Sequence, residues 1–224
     1  MTERSSIFDM IGPVMIGPSS SHTAGVARIG RLTRRMLGEP VSSAQITFYN
    51  SFATTYEGHG SDRALLAGLM DLAPDDERIR EARALAEQVG LAFTIKAIGS
   101  AAKLHPNSVR IHAEGATRHI EVLGVSRGGG LVTIAEVDGF AADVSGQSFT
   151  LFVRAADVPG SIAFIASVVT HEQCNIATMN VSRKAKHSDA GLILELDSPL
   201  RPTTLDYLAQ LHWVQSVNYI EPIS

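Results

Sequence analysis
Apolar or small residues recur at Val26, Ile29, Gly30, Thr33 and Leu37, with Arg28, Arg31, Arg34 and Arg35 between them. Three- and four-residue spacing of this kind predicts an amphipathic helix whose wet face carries the arginines. Gln45 to Phe52 is rich in β-branched and aromatic residues and reads as a strand. Ser61-Asp62 then precedes "RALLAGLM", a capped helix ending near Pro74, and a second helix runs from Asp76 to Val89 and stops at Gly90. From Leu91 to Asp138 the pattern changes to short β-branched runs, "LAFTIKAIG", "SVRIHAEG", "RHIEVLGVS" and "LVTIAEVDG", punctuated by Gly and Asn-Ser turn signals. They predict an antiparallel meander laid on a helical layer, so residues 1–140 read as one α+β domain.

Small and polar residues from Gly139 to Ser148, "GFAADVSGQS", read as a linker. Beyond it, "FTLFVRAAD" is a strand, Pro159 to His171 a helix, "CNIATMNVSRKA" and "GLILELD" two strands, Thr203 to Leu211 a helix and "VQSVNYIE" a last strand. The order over residues 148–224 is βαββαβ, the ferredoxin-like pattern. Many functions use that fold, RNA binding among them, but the stacking aromatics and basic stripe of an RNA-recognition sheet are absent from this sequence.

With 224 residues, 45% of them hydrophobic and 19% charged, the chain can bury a substantial core. A formal charge of -4 and a pI near 6.0 create no basic field, which argues against nucleic acid and anionic membrane as partners. No apolar run reaches the roughly 18 residues of a membrane span, and the N-terminus lacks a signal-peptide core, so the expected location is the cytoplasm. A single cysteine, Cys174, cannot form an internal disulfide or by itself ligate zinc or an iron–sulfur cluster. No metal ligands are assigned to this chain.

Candidate chemistry concentrates at Gly17 to Gly25, "GPSSSHTAG", where Pro18 and the serines stand at the entrance to the first helix. One hydroxyl suffices to cap the free amides of a first turn. Three serines with His22 and Thr23 supply further donors beside a helix N-terminus, which favours an anion such as a carboxylate, and His22 can carry a proton near neutral pH. No "GxSxG" elbow accompanies them, so a serine hydrolase is not indicated. "GHGSD" at Gly58 to Asp62 repeats a histidine among glycines at a helix start, equally readable as a turn or as a ligand contact through His59. "HPNSV" at His105 to Val109 reads as a loop turning into a strand. In "SRGGG", Ser126 to Gly130, three glycines stand where a tight turn needs one, so Gly128 and Gly129 point to backbone proximity to a ligand. Farther on, Asp157-Val158-Pro159-Gly160 joins strand to helix, and Asn175-Ile176 opens the next strand.

"FDMIGPVMIGPSSSHTAGVARIGRL" at Phe8 to Leu32, with "GHGSDRALLAGLMDLAPDDERI" and "SRGGG", resembles the beta chain of the iron–sulfur-dependent L-serine dehydratases, or L-serine ammonia-lyases. The resemblance spans almost the whole chain. It implies an N-terminal domain like the allosteric substrate-binding domain of some phosphoglycerate dehydrogenases, followed by an ACT domain whose strand-to-helix loop matches Asp157, Pro159 and Gly160, with Asn175 and Ile176 nearby. It also implies a separate alpha chain holding a 4Fe-4S cluster, and conversion of L-serine to pyruvate and ammonia in amino-acid metabolism and gluconeogenesis. Within that frame Ser19, Ser20, Ser21 and Thr23 are expected to contact the substrate's carboxylate or ammonium, with His59, Gly128 and Gly129 beside them, and His22 to handle a proton. Asp157, Pro159, Gly160, Asn175 and Ile176 are expected to hold an amino-acid effector at one end of the second sheet, with dimerisation through the ACT domain. A non-catalytic amino-acid-sensing subunit and a structural adaptor for the alpha chain are the alternatives.

Overall fold
Apolar spacing along the first arginine-rich segment produces α1, Gly25–Leu37, which buries Val26, Ile29, Leu32, Thr33, Met36 and Leu37. The computed structural model describes residues 14–185 and 188–223, so Phe8 to Pro13 of the longest motif lies outside the described residues. The chain divides into two units, Met1–Ala135 and Glu136–Ser224. In the first, a π-helical turn at Ser20–Ala24 runs directly into α1, and Gly38, at φ 81°, ends it behind Arg34 and Arg35, whose charges suit a helix C-terminus.

Strand β1 (Ser43–Tyr49) is shorter than the β-rich run, because residues from Asn50 onward form α2 (Asn50–Thr55). Asn50 has a φ of 52°, and its side-chain amide donates to the Ala101 and Leu104 carbonyls at 3.2 Å, so the strand ends there. Next comes α3 (Ser61–Leu69), capped by Gly60 in the left-handed conformation rather than by Ser61. The helix expected over Asp76 to Val89 is two pieces, a 3₁₀ turn at Glu77–Glu81 capped by the Asp76 side chain and α4 (Ala82–Gln88).

Strand β2 (Ala92–Ile98) does not join a meander: it pairs parallel with β1 at the sheet edge, Ile46 opposite Ile95. Parallel neighbours need a long crossover, and the three intervening helices supply it. Strands β3 (Ser108–Glu114), β4 (His119–Gly128) and β5 (Leu131–Val137) continue the sheet, the first five strands of six, in the order β2-β1-β3-β4-β5, with β1–β3 and β3–β4 antiparallel. Helix α1 packs on β4 and crosses α3 closely. A Cβ on Gly68 would stand 2.1 Å from the Ala27 carbonyl oxygen, and one on Gly30 2.6 Å from that of Leu65.

The second unit contains β6 (Phe140–Val144), β7 (Phe149–Ala156), α5 (Ser161–His171), β8 (Ile176–Arg183), β9 (Asp189–Leu196), α6 (Pro202–Ala209) and β10 (Val214–Ile220). Its antiparallel sheet runs β10-β7-β9-β8, the ferredoxin-like arrangement. Leu151, Val153, Leu192, Leu194 and Leu196 pack with Ile165, Val169 and Leu208 of the helices. Residues 139–148 are not a bare linker. Phe140 is buried against Phe152, at 6.4 Å between ring centroids, and over Gly191, where a Cβ would stand 2.7 Å from its ring. Ser145 then donates from N and Oγ to the buried Glu195 carboxylate at 2.9 and 2.8 Å. Among the described residues no helix is long and apolar enough to cross a membrane.

Candidate functional site
Ser19 is the extended residue that caps the first turn, its Oγ accepting from His22 N at 3.1 Å. One serine therefore does the capping, and the others are left for different work. The Ser21 Oγ lies 2.9 Å from His22 Nδ1, the Ser19 Oγ 3.4 Å from the same nitrogen, and the two hydroxyls 3.3 Å apart. Ser20 is half-buried in the same turn. Buried Thr23 donates from Oγ1 to the His59 carbonyl at 3.2 Å, and buried Ser61 donates to the His22 carbonyl at 2.6 Å. Ser61 thus braces the turn from α3. The "GHGSD" loop is drawn against the serine turn, and the His22 and His59 rings stand 4.8 Å apart between centroids.

On its other side His22 meets Phe52 edge-on, ring centroids 5.0 Å apart, and its Nε2 is buried without a hydrogen-bond partner. Burial, and secondarily the charge of His59, hold the His22 pKa below the ordinary 6.5 of an imidazole. A neutral ring whose Nδ1–H donates to Ser21 Oγ keeps an available lone pair on Nε2. His59 Nδ1 donates to the Thr55 carbonyl at 3.2 Å, which fixes the tautomer of the second ring.

The triple-glycine segment ends β4 beside this turn. Gly128, Gly129 and Gly130 have φ of 98°, 61° and 82°, a succession of left-handed residues that explains why one glycine is not enough. Buried Ser126 presents an Oγ with no partner toward Gly25, where a Cβ would sit only 2.2 Å from it. Arg28, expected on the wet face, is half-buried and donates from Nη1 to the Gly130 carbonyl at 3.0 Å. Burial pushes its pKa down, with Arg31 adding to the effect. The "HPNSV" loop is tied in as well, through Ser51 N to the Pro106 carbonyl and Ser126 N to the Asn107 carbonyl, both at 3.0 Å. Sequence reasoning missed Asn50, Phe52 and Ser61. The one available signal was Asn50-Ser51, a turn-prone pair inside an otherwise β-rich run.

In the second unit Asp157, Pro159 and Gly160 line a cleft of about 580 Å³ at the start of α5. Asp157 pairs with Arg183 at 2.9 Å, so a basic residue outside the sequence reading completes this wall. Asn175 and Ile176 are elsewhere. Strands β7 and β8 both run antiparallel to β9, so Asp157 after β7 and Asn175 before β8 lie at opposite ends of the sheet. The seven steps of β8 separate them by about 23 Å at ~3.3 Å per residue. Asn175 instead donates to Asp197 at 2.7 Å, and Ile176 pairs with Leu196. Cys174 is buried in the second unit, its thiol directed at the Ser198 carbonyl at 3.2 Å. Among the described residues no three His, Cys, Asp or Glu side chains stand together as metal ligands.

Residues 6–136 match the family model described as serine dehydratase beta chain. The chain is 41% identical over 206 residues to the probable L-serine dehydratase, beta chain, of Bacillus subtilis (strain 168), covering 92% of this chain and 93% of that one. It is 32% identical over 219 residues to the L-serine dehydratase, beta chain, of Peptoniphilus asaccharolyticus, covering 96% and 98%. D-3-phosphoglycerate dehydrogenase of Bacillus subtilis (strain 168) is 26% identical over 198 residues, 87% of this chain and 37% of that enzyme. With a family model spanning more than half of its length and relatives matched nearly end to end, the chain belongs to the serine dehydratase beta-chain family.

Proposed function
We propose that the chain acts with an alpha chain as an L-serine dehydratase, lending substrate-contacting groups to a site beside a 4Fe-4S cluster that the alpha chain ligates. The observation that carries this reading is His22, a half-buried imidazole with hydroxyls at Nδ1 and a buried, unpartnered Nε2. An iron with an open position on the partner would supply the Lewis acidity that makes the serine hydroxyl a leaving group. In this chain, Ser19, Ser20, Ser21 and Thr23 bind the carboxylate or ammonium, His59 and the Gly128–Gly129 backbone border the substrate, and Nε2 of His22 takes the α-proton. Loss of that proton and of the β-hydroxyl as water gives 2-aminoacrylate. Its imine tautomer hydrolyses to pyruvate and ammonia.

A second, regulatory reading rests on the cleft at Asp157, where the first turn of α5 has no side-chain cap. There the helix amides take an amino acid's carboxylate and Asp157 its ammonium, with L-serine the first effector to try and ACT-mediated pairing of two chains the expected consequence. Anaerobic reconstitution with an alpha chain, assayed for pyruvate from L-serine, tests both readings. His22→Gln is expected to lower kcat by roughly 10²–10⁴-fold while the complex still forms. Asp157→Ala is expected to leave turnover intact and abolish any effector response. Unchanged turnover in His22→Gln refutes the catalytic reading and leaves the sensing one.

A further inference from the structure
Arg28 lies in the first turn of α1, on the strip of the helix that faces β4. Gly25, three residues before it, is where Ser126 of β4 packs, and Ile29, next in the chain, fills the space over Gly124, where a Cβ would be 2.3 Å from its Cγ2. Positions three and four apart share one helix face, so Arg28 follows the sheet-facing edge rather than standing out with the exposed Arg35.

Its surroundings are unusual for a cation. Arg28 is half-buried, its Nε is enclosed without a partner, and among the described residues it has no ion pair, only the bond from Nη1 to the Gly130 carbonyl at 3.0 Å. Arg31 and Arg35 of the same helix are by contrast paired with Asp71. Taking part of a guanidinium out of water is unfavourable, and burial pushes its pKa down. What the charge makes instead is a strong class of hydrogen bond, and it reaches 102 residues along the chain to the end of a turn. That turn needs holding. Gly128, Gly129 and Gly130 are all left-handed, and glycine loses more backbone freedom on ordering than any other residue. Arg127 also braces it, from Nε to Thr133 Oγ1 at 3.1 Å, but that bond lies within the hairpin, whereas Arg28 fixes the turn to the helix that the serine turn begins. On its other side the turn is open: a Cβ on Gly128 would meet nothing within 4 Å.

We propose that Arg28 is a positioning residue of the substrate site, which acts through the Gly130 carbonyl to hold the Gly128–Gly130 backbone beside the serine turn and so governs how tightly L-serine is bound. The inference rests on the reading that Gly128 and Gly129 border the substrate. Arg28 touches no reacting atom, and the proton transfer assigned to His22 does not pass through it.

In the full chain alone, amide hydrogen exchange at Gly128–Gly130 should quicken about tenfold or more in Arg28→Met and stay near the unaltered rate in Arg28→Lys, which keeps a charged donor on a long stem. In the complex reconstituted with an alpha chain, Arg28→Met should raise KM for L-serine about tenfold with kcat within about twofold, and Arg28→Lys should restore most of the affinity. Lost stability alone would reduce the folded enzyme and hence the maximal rate while leaving KM where it was. Arg35→Gln, which removes an exposed guanidinium paired with Asp71, should alter neither exchange nor KM. Unchanged exchange in Arg28→Met would mean that the turn does not depend on this bond, and quickened exchange with an unchanged KM would mean that the turn does not hold substrate; either overturns the proposal. His22→Gln, measured alongside, keeps the two inferences apart. Lowered turnover there with an unaltered KM in Arg28→Met overturns this proposal and leaves the proton role of His22, whereas full turnover there with a raised KM in Arg28→Met does the reverse. A complex that forms no pyruvate overturns both.

Discussion

His22 meets its surroundings through two nitrogens with opposite fates: Nδ1 is held among hydroxyls and Nε2 faces no partner. Burial keeps the ring neutral below the pH at which a free histidine charges. The unfolded chain binds that proton near 6.5, and the folded chain only at lower pH, so stability falls as pH drops below 6.5 and levels off below the folded pKa. Urea midpoints measured between pH 7 and pH 5 should therefore decline, and His22→Gln should flatten the decline. Some slope will remain, because burial and Arg127 also depress the His105 pKa. An unaltered slope in His22→Gln would mean that the ring is solvated. The same direction places the acid limb of kcat/KM below 6.5 if this imidazole is the base.

Where α1 crosses α3, Gly68 and Gly30 bring backbone against backbone with no space for a methyl group. Gly68→Ala must push the helices apart or displace the Ala27 carbonyl, and overpacking of this kind costs about 1–3 kcal/mol. A lower urea midpoint with an unchanged slope is the expected result, and wild-type stability in that variant would show that the crossing relaxes freely. Elements governed by local spacing were readable in advance: α1 from its apolar stripe, and the βαββαβ order from alternating runs and turn residues. What escaped reading was nonlocal. The β2 residues look the same whether they pair in a meander or run parallel to β1, and only the crossover decides. Asn175 and Asp157 fell at opposite ends because strand direction follows from pairing with β9, which no local pattern encodes. At the candidate site, the serine turn and both histidines were legible as polar residues at helix starts. Asn50 and Phe52 were masked by β propensity, and Ser61 by its resemblance to a cap.

At the scale of the molecule, the division at Ala135 and Glu136 assigns β6 to the second unit, where Phe140 covers the face of the sheet turned away from its helices. Burying one phenylalanine contributes about 1.5–3 kcal/mol. A fragment of residues 136–224 should therefore melt cooperatively and above one of residues 148–224, which lacks both Phe140 and the Ser145 contacts to Glu195. Equal melting temperatures would return 139–148 to the status of a linker. Cys174 bears on experiments with the whole assembly. Its thiol is enclosed in the second unit and directed at a carbonyl, so alkylating reagents reach it only when that unit opens. In a mixture with an alpha chain, rapid labelling then reports only on thiols the partner contributes, so the proposed cluster is tested by whether new labelled thiols appear on its release, without altering a residue of this chain.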